Sequence, residues 1–434
     1  MSSGLGRRSV VSLVWLCCAA GARGQAGADP PLTLREAIDR AAARAPEVAV
    51  AAAAQAEADA AGRLSGPLRT GLSLHTDPAY VAGVPGPVLG RLPSIAGVDL
   101  RQSFYDPGRQ IEAEEGKARL AQAQGEVGIA RLRAAEQAAA FFGRCRAGDA
   151  AIRAAEARVG ARRSARDRTA RLREEGRATV LDEQRARLLM AQAQQELRRA
   201  RSERELDGFA LRRLLGLPAD APLTLGGEPS LPEPSPDGTD DLAAARSTDP
   251  RLRAMGERVA AEERAVRIRG RLFAPVVDAS AQYSRLYKTA DWDEFYRTFK
   301  PDSWSIGASI NLPLFASGRS AAAARATARL DRLRAERAAR ERDLEIEVRR
   351  TQQALLQARE GIEVAQLSEA VAAEDLRLAR ALLSEGRIEP ADLAEKEQLL
   401  AEAQRDRTRA EADLALAQVG RLALRGELLL VTVP

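Results

Sequence analysis

The chain has 434 residues and a mass of 46.6 kDa, and its 45% apolar content is ample for a packed core, which excludes disorder throughout. Sixty-six basic and 61 acidic side chains nearly cancel to +5, so the charge balance gives no indication of nucleic acid. One histidine, His75, and cysteines only at 17, 18 and 145 leave few groups for proton shuttling, soft-metal binding or thiol chemistry, which disfavours an enzyme. Aromatics at 4% against abundant Ala, Leu, Arg and Glu suit long helices packed side by side.

Arg7 and Arg8 precede an uncharged run from Ser9 to Gly21, and the small residues Ala22, Gly24 and Ala26 follow. Residues 1–26 are therefore expected to be a secretory signal peptide, too short for a bilayer-spanning helix of about 20 apolar residues. Cleavage there leaves Cys145 as the one thiol and no disulfide within the chain. The alternative, a lipidated Cys17 or Cys18, lacks small residues in the preceding Val14-Trp15-Leu16.

The sequence repeats at an offset of 210, which pairs Gly97 with Gly307, Gly108-Arg109 with Gly318-Arg319, Gly176-Arg177 with Gly386-Arg387 and Asp182 with Asp392. Two copies of one architecture are expected, residues 27–216 and 240–434. Between them lies a linker, 217–239, whose prolines at 218, 222, 229, 232, 234 and 236 suit neither helix nor central strand.

Each copy opens with a short helix, Leu34 to Arg44 or Asp241 to Ser247, and restarts at a proline suited to a first helical turn, Pro46 or Pro250. Asp249 is a good N-cap and Ala45 a poor one. The period then changes from helical to two. Leu68, Thr70, Leu72 and Leu74 alternate with Arg69, Gly71, Ser73 and His75, and Val277, Ala279, Ala281 and Tyr283 with Asp278, Ser280, Gln282 and Ser284. Residues 95–105 and the run from Ser305 to Leu314 behave alike, giving four strands with one apolar and one polar face. The alternation fits an ordinary half-buried sheet or a membrane barrel with lipid on one side and water on the other. Strand length and export favour the barrel, and since four strands cannot close one, chains must pool their strands. The loops 76–94 and 287–303 would then face the cell exterior.

From Gly108 to Glu175 and from Gly318 to Glu385 there is no proline, and such a helix extends roughly 100 Å at 1.5 Å per residue. Leu120, Val127, Ala134 and Phe141 recur every seven residues, as do Val348, Leu355 and Ile362, which is coiled-coil spacing. Each long helix breaks at Glu-Gly-Arg, and a second helix returns through Leu188 to Leu214 or Leu393 to Leu424, making a coiled-coil hairpin in each copy.

These residues resemble the outer-membrane efflux protein family, the TolC-type channel subunits of tripartite export machines. The resemblance rests on Leu32-Thr33-Leu34-Arg35-Glu36-Ala37-Ile38 with Ala45-Pro46-Glu47, and on Ser305-Ile306-Gly307-Ala308-Ser309-Ile310-Asn311-Leu312-Pro313-Leu314-Phe315 followed by Gly318-Arg319. The first copy has Leu100-Arg101-Gln102-Ser103-Phe104-Tyr105 before Gly108-Arg109, with Ser103 where the second has Pro313. The resemblance implies a mainly α fold with β, a trimeric TolC-type α/β barrel. Each protomer would supply four β-strands and long coiled-coil hairpins, internally duplicated, to a barrel in the outer membrane and a tunnel through the periplasm of a Gram-negative cell.

It further implies that the turns at Gly176, Arg177, Gly386 and Arg387 form a periplasmic tip where an adaptor (membrane fusion) protein docks. Asp392 and Glu395 would form an acidic ring that attracts cations, and Asp182 would tie neighbouring helices in the closed gate. The family's usual tyrosine and arginine gate partners are replaced here by Leu383 and Ile388, with Arg177 or Arg387 as candidate substitutes. Implied partners are two further copies, the adaptor, an inner-membrane RND, ABC or MFS transporter and outer-membrane lipid, with no cofactor and no nucleic acid.

Other chemistry is poorly supported. Glu174-Glu175 and Glu262-Glu263 read as solvated helix surface, His75 as a lumen-facing polar residue and Cys145 as a small packing residue, and no phosphate loop or dinucleotide pattern occurs. The expected function is a passive exit duct for small molecules driven by a pump. A polypeptide-secretion channel and a periplasmic coiled-coil scaffold are the alternatives.

Overall fold

Two helices, two long strands, one very long helix and a returning helix follow one another, and the series occurs twice. The computed structural model describes residues 31–64, 69–77, 80–81, 90–91, 94–226, 241–271, 274–287, 302–312 and 318–428. The first series is α1 (Leu34–Arg44), α2 (Pro46–Leu64), β1 (Arg69–Asp77), β4 (Ser94–Tyr105), α3 (Pro107–Glu174) and α4 (Val180–Leu214). Between β1 and β4 two short strands, β2 (Tyr80–Val81) and β3 (Gly90–Arg91), pair inside the stretch expected to be loop. The second series is α5 (Asp241–Thr248), α6 (Pro250–Arg269), β5 (Val276–Tyr287), β6 (Asp302–Asn311), α7 (Arg319–Ser384) and α8 (Pro390–Leu424). The expected signal peptide, most of the linker, much of both loops and the Pro313-Leu314-Phe315 motif lie outside the described residues.

Local chemistry explains the boundaries. Asp106 caps α3 by accepting from the Gly108 amide at 2.8 Å, with Pro107 at the position where a missing N–H costs nothing. Asp249 caps α6 by accepting from the amides of Arg251 and Leu252 at 2.6 and 2.9 Å. The two returning helices begin at Val180 and Pro390, before the expected Leu188 and Leu393, because each opens directly after its tip turn. All four hairpin helices end alike, at glycines 176, 216, 386 and 426 with φ between 66° and 73°. There the residue after the glycine bonds back to the carbonyl five positions earlier, as Arg177 does to Leu172 at 2.7 Å and Arg387 to Leu382 at 2.9 Å.

The Gly-Arg pairs at the strand-to-helix junctions differ. Gly108 sits inside the first turn of α3, with Arg109 Nε 3.5 Å from Asp106, whereas Gly318 is the left-handed N-cap of α7 at φ 89°. Arg319 begins α7.

The long strands form one antiparallel sheet in the order β1-β4-β5-β6. In the helical part α3 packs against α4 on one side and α8 on the other, and α8 packs against α7. Nearer the sheet, α2 and α6 occupy the places of α4 and α8. The helices thus form a wall one helix thick, with α4 and α2 along one edge and α7 along the other.

A belt joins the two halves of this wall. Its core is built from Ala134, Ala135, Ala138, Phe142 and Cys145 of α3 with Leu211 and Leu215 and with Val419 and Leu422 of α8. Small residues set the spacing: a Cβ on Gly143 would lie 2.9 Å from that of Ala412, and one on Gly125 would lie 3.0 Å from the Pro250 carbonyl oxygen. Gly125, which interrupts the heptads, therefore admits the start of α6. Burial pushes the Cys145 thiol up to about 11, which makes it an inert packing group.

Several charges in and above the belt are paired, and Asp241, Asp249 and Glu262 among them are buried. Asp241 accepts from Arg425 at 2.9 Å, Arg421 at 3.1 Å and Gln352 at 3.2 Å, fastening α5 to α7 and α8. Arg340 donates to Asp249 at 2.6 Å and Glu347 at 2.7 Å. Glu262, expected at the surface, is only 4% exposed and lies 3.3 Å from Arg269 and 3.4 Å from Arg329. The correction arises because α6 faces α7 here, a packing that no pattern local to α6 announces. Glu174 and Glu175 are exposed as expected.

Candidate functional site: a two-faced sheet and a paired helical tip

Cross-strand registers sort the sheet into two faces. On one, Ser73 lies opposite Asp99, Asp99 opposite Gln282 and Gln282 opposite Ser305, while Arg101 lies opposite Ser280 and Ser280 opposite Gly307. On the other, Leu72 lies opposite Leu100, Leu100 opposite Ala281 and Ala281 opposite Ile306. The apolar face is bare, with Leu74 79% and Ile306 76% exposed, and every residue of β6 is exposed. Burying one such side chain is worth about 1.5–3 kcal/mol, so a sheet with this face in water forgoes a large stabilisation. Among the described residues, the outer strands β1 and β6 also leave both sheet edges unpaired.

His75 lies on the polar face, its Nδ1 2.8 Å from Asp99 Oδ2 and its ring over Gly97, where a Cβ would stand 2.6 Å from the imidazole. The acid that pairs with His75 is distant in sequence and reaches it across the β1–β4 pair.

At the far end of the wall, the two hairpin turns have one backbone and different side-chain networks. After Gly176, Asp182 forms a capping box with Thr179, accepting from the Thr179 amide at 3.0 Å and hydroxyl at 2.7 Å, while its own amide donates to Thr179 Oγ1 at 3.2 Å. Hydrogen bonds from the Thr179 side chain and backbone hold the Asp182 carboxyl below the usual carboxylate range. After Gly386, Asp392 likewise accepts from the Glu389 amide at 3.1 Å. Both acids therefore start the returning helices where the helix dipole favours negative charge.

Arg168 of α3 crosses to the second turn, with Nε 2.8 Å from Glu389 and Nη1 3.5 Å from Asp392. Arg177 and Arg387 stay within their own turns, 3.2 Å from Glu175 and 3.3 Å from Glu385. Glu183, buried beneath the first turn, is gripped by Arg173 and Arg187. Glu395 is exposed, without an ion pair among the described residues.

The structure thus brings Asp392 together with Arg168, a residue that sequence reasoning did not single out, and leaves Asp182 satisfied within its own helix. The available signal was the offset: the counterpart of Arg168 is Leu378, and a charge replacing an apolar seam position has a partner to reach.

Above Arg168 two more arginines of α3 reach α8. Arg158 bridges Glu402 at 2.6 Å and Glu196 of α4 at 2.5 Å, and Arg146 lies 3.5 Å from Glu411. Among the described residues no His/Cys/Asp/Glu cluster has the form of a metal site, and no helix is long and apolar enough to cross a membrane.

A helical wall bearing a small sheet with one uncovered apolar and one polar face is the fold of outer-membrane channels. The OprN outer-membrane channel matches over 91% of this chain and 90% of its own, with TM-score 0.70 and 18% identity. The Campylobacter jejuni CmeC outer-membrane channel matches over 91% and 85%, with TM-score 0.71 and 15% identity. VceC, an outer-membrane protein of Vibrio cholerae, matches over 91% and 96%, with TM-score 0.69 and 19% identity. No curated protein matches in sequence. Residues 242–425 match the family model of outer membrane efflux proteins.

Proposed function

We propose that the chain is one third of a passive exit duct, in which three copies pool twelve strands into an outer-membrane barrel and twelve helices into a periplasmic tunnel. The observation carrying this reading is the sheet, which exposes leucine and isoleucine on one face, serine, aspartate and arginine on the other, and a free edge at each end. Closure into a ring removes both edges, and lipid covers the apolar face while water fills the polar one. The two edges of the helical wall support the same reading, since α4 and α7 each expose apolar side chains.

The tip then constricts the tunnel, and Asp182, Asp392 and Glu395 repeat threefold around it. Gly176, Arg177, Gly386 and Arg387 present the surface to which an adaptor docks. Small toxic compounds or metal ions are selected and driven by an inner-membrane RND, ABC or MFS pump, and the duct itself makes and breaks no bond. Extraction of the outer-membrane fraction in detergent, followed by mass determination and bilayer recording, tests the reading. A particle of three chains with stable conductance is expected, and a water-soluble single chain without conductance overturns it.

A further inference from the structure

The exposed edges of the wall carry matching heptads. On α4 the positions 181, 185, 188, 192, 195, 199, 202, 206 and 209, spaced alternately by four and three, are all exposed. On α7 the same holds for 350, 353, 357, 360, 364, 367, 371, 374, 378 and 381. Each is an uncovered a/d seam with apolar members, Leu181, Leu188, Leu206 and Phe209 on one and Val364, Leu367, Val371 and Leu378 on the other. Neither seam is satisfied inside the chain. Ala150, Ala154 and Ala161 of α3, the counterparts of Glu360, Val364 and Val371 at the offset of 210, are buried, while Val364 and Val371 are 67% and 65% exposed.

That difference identifies what covers them. Inside the chain α3 meets α8 in pairs whose residue numbers add to between 557 and 560: Arg146 with Glu411, Arg158 with Glu402, and Arg168 with Glu389 and Asp392. Adding 210 to the α3 member and subtracting 210 from the α8 member gives a pair on α7 and α4 with an unchanged sum. Among registers that mesh the two exposed seams, one adds to 559. It sets Leu181 against Leu378, Leu188 against Val371, Arg185 against Glu374 and Arg199 against Glu360. One heptad away, at 566, both arginines face apolar residues, Ala381 and Leu367, and Glu360 faces Leu206. Arg185 and Glu360 have no ion pair among the described residues, while Arg199 and Glu374 hold only the surface neighbours Glu203 and Arg377.

Resting on the ring proposed above, we infer that α4 of one copy packs against α7 of the next in this register, with Arg185–Glu374 and Arg199–Glu360 as the ion pairs that fix it. The contact is head-to-tail and closes on itself, so each seam finds a partner on a second copy of the same chain. It repeats between chains the α3–α8 contact within one, and charge selects the register as charged seam positions do in coiled coils.

Paired cysteines test the register in the full chain with Cys17, Cys18 and Cys145 changed to alanine. Leu188→Cys with Val371→Cys is expected to convert the single-chain band to a covalent three-chain band on oxidation in outer-membrane vesicles. Leu188→Cys with Leu378→Cys, one heptad away, is expected to leave it single. Efficient linkage in the second variant and none in the first overturns the register while leaving the ring intact. A native mass of one chain for both variants and for the wild type overturns the ring as well. Independently, Arg185→Glu should lower the recovered three-chain fraction several-fold and Glu374→Arg in the same chain should restore it; absence of rescue counts against the pairing.

Discussion

The belt and the tip are held by the same chemistry, arginine on carboxylate, in opposite surroundings. In the belt, Asp241 and Arg421 are 5% and 11% exposed; at the tip, Asp392 and Arg168 are 49% and 39% exposed. A buried pair cannot be broken without stranding a charge in low dielectric, whereas an exposed pair exchanges partner for water at a net cost of about 0–1 kcal/mol. The rungs from α3 to α8 grade between these limits, since exposure rises from Arg146 through Arg158 to Arg168. The ties across the wall are therefore stronger at the belt than at the tip, and the rung nearest the tip is the weakest of the three.

Breaking the belt gives the largest expected effect. Asp241→Ala strands Arg421 against the end of α8, while Arg425 keeps Glu427 at 2.7 Å, and loss of one partner of a buried pair typically costs about 3–5 kcal/mol. A fall in melting temperature of the extracted protein checks this, and an unchanged value would mean that water already compensates the site. Burial raises the Asp241 carboxyl pKa, but hydrogen bonds from Arg425, Gln352 and Arg421 outweigh it and hold the carboxyl below its ordinary value of 3.8. Its contribution is therefore complete above that pH and is lost as the pH falls through the depressed native value. The stability difference between wild type and Asp241→Ala should shrink on acidification.

The sequence carried more of the fold than of these ties. Periodicity of two and of seven, proline at helix starts and glycine at helix ends were enough for the strands, the hairpins and the bounds of α1, because each is a local constraint on dihedrals or on one face. The acids at 182 and 392 stood out by the offset of 210 and by resemblance to a gate, whereas in the structure each caps the helix that it begins. Arg168 with Asp392, His75 with Asp99 and the burial of Glu262 were not, since each needs a register between segments distant in sequence. The offset of 210 is the one long-range signal present, and it points to places where a side chain departs from its counterpart.

A smaller effect on stability and a clear one on permeation are expected from the tip. Arg168→Gln should change the melting temperature little, because the pair is exposed. If the tip is the constriction, the same change removes the positive charge nearest Asp392 and should raise cation preference in the reversal potential. Asp392→Asn with Glu395→Gln should lower it. Equal selectivity in all three proteins would place the constriction elsewhere along the tunnel. Together these variants sharpen the contrast with the belt, where the analogous change is expected to act on folding first.

The smallest effect separates the two tips from one another. Residues 162–187 carry nine basic and five acidic side chains, whereas residues 372–397 carry four basic and seven acidic. Asp182 therefore sits in a basic tip yet is spoken for by Thr179, and its depressed pKa comes first from the Thr179 side chain and then from the Thr179 backbone. The capping contribution should be whole at neutral pH and fade as the pH falls through the depressed native value, since protonation removes the charge that strengthens the bonds from the Thr179 amide and hydroxyl. Hydrogen exchange at that amide is the measurement. Asp182→Asn should speed exchange at neutral pH, and the gap to wild type should close on acidification. Meanwhile cation preference should fall less than in Asp392→Asn with Glu395→Gln, because one carboxylate per copy is removed from the tip rather than two. Unchanged selectivity in Asp182→Asn would place this carboxylate away from the constriction.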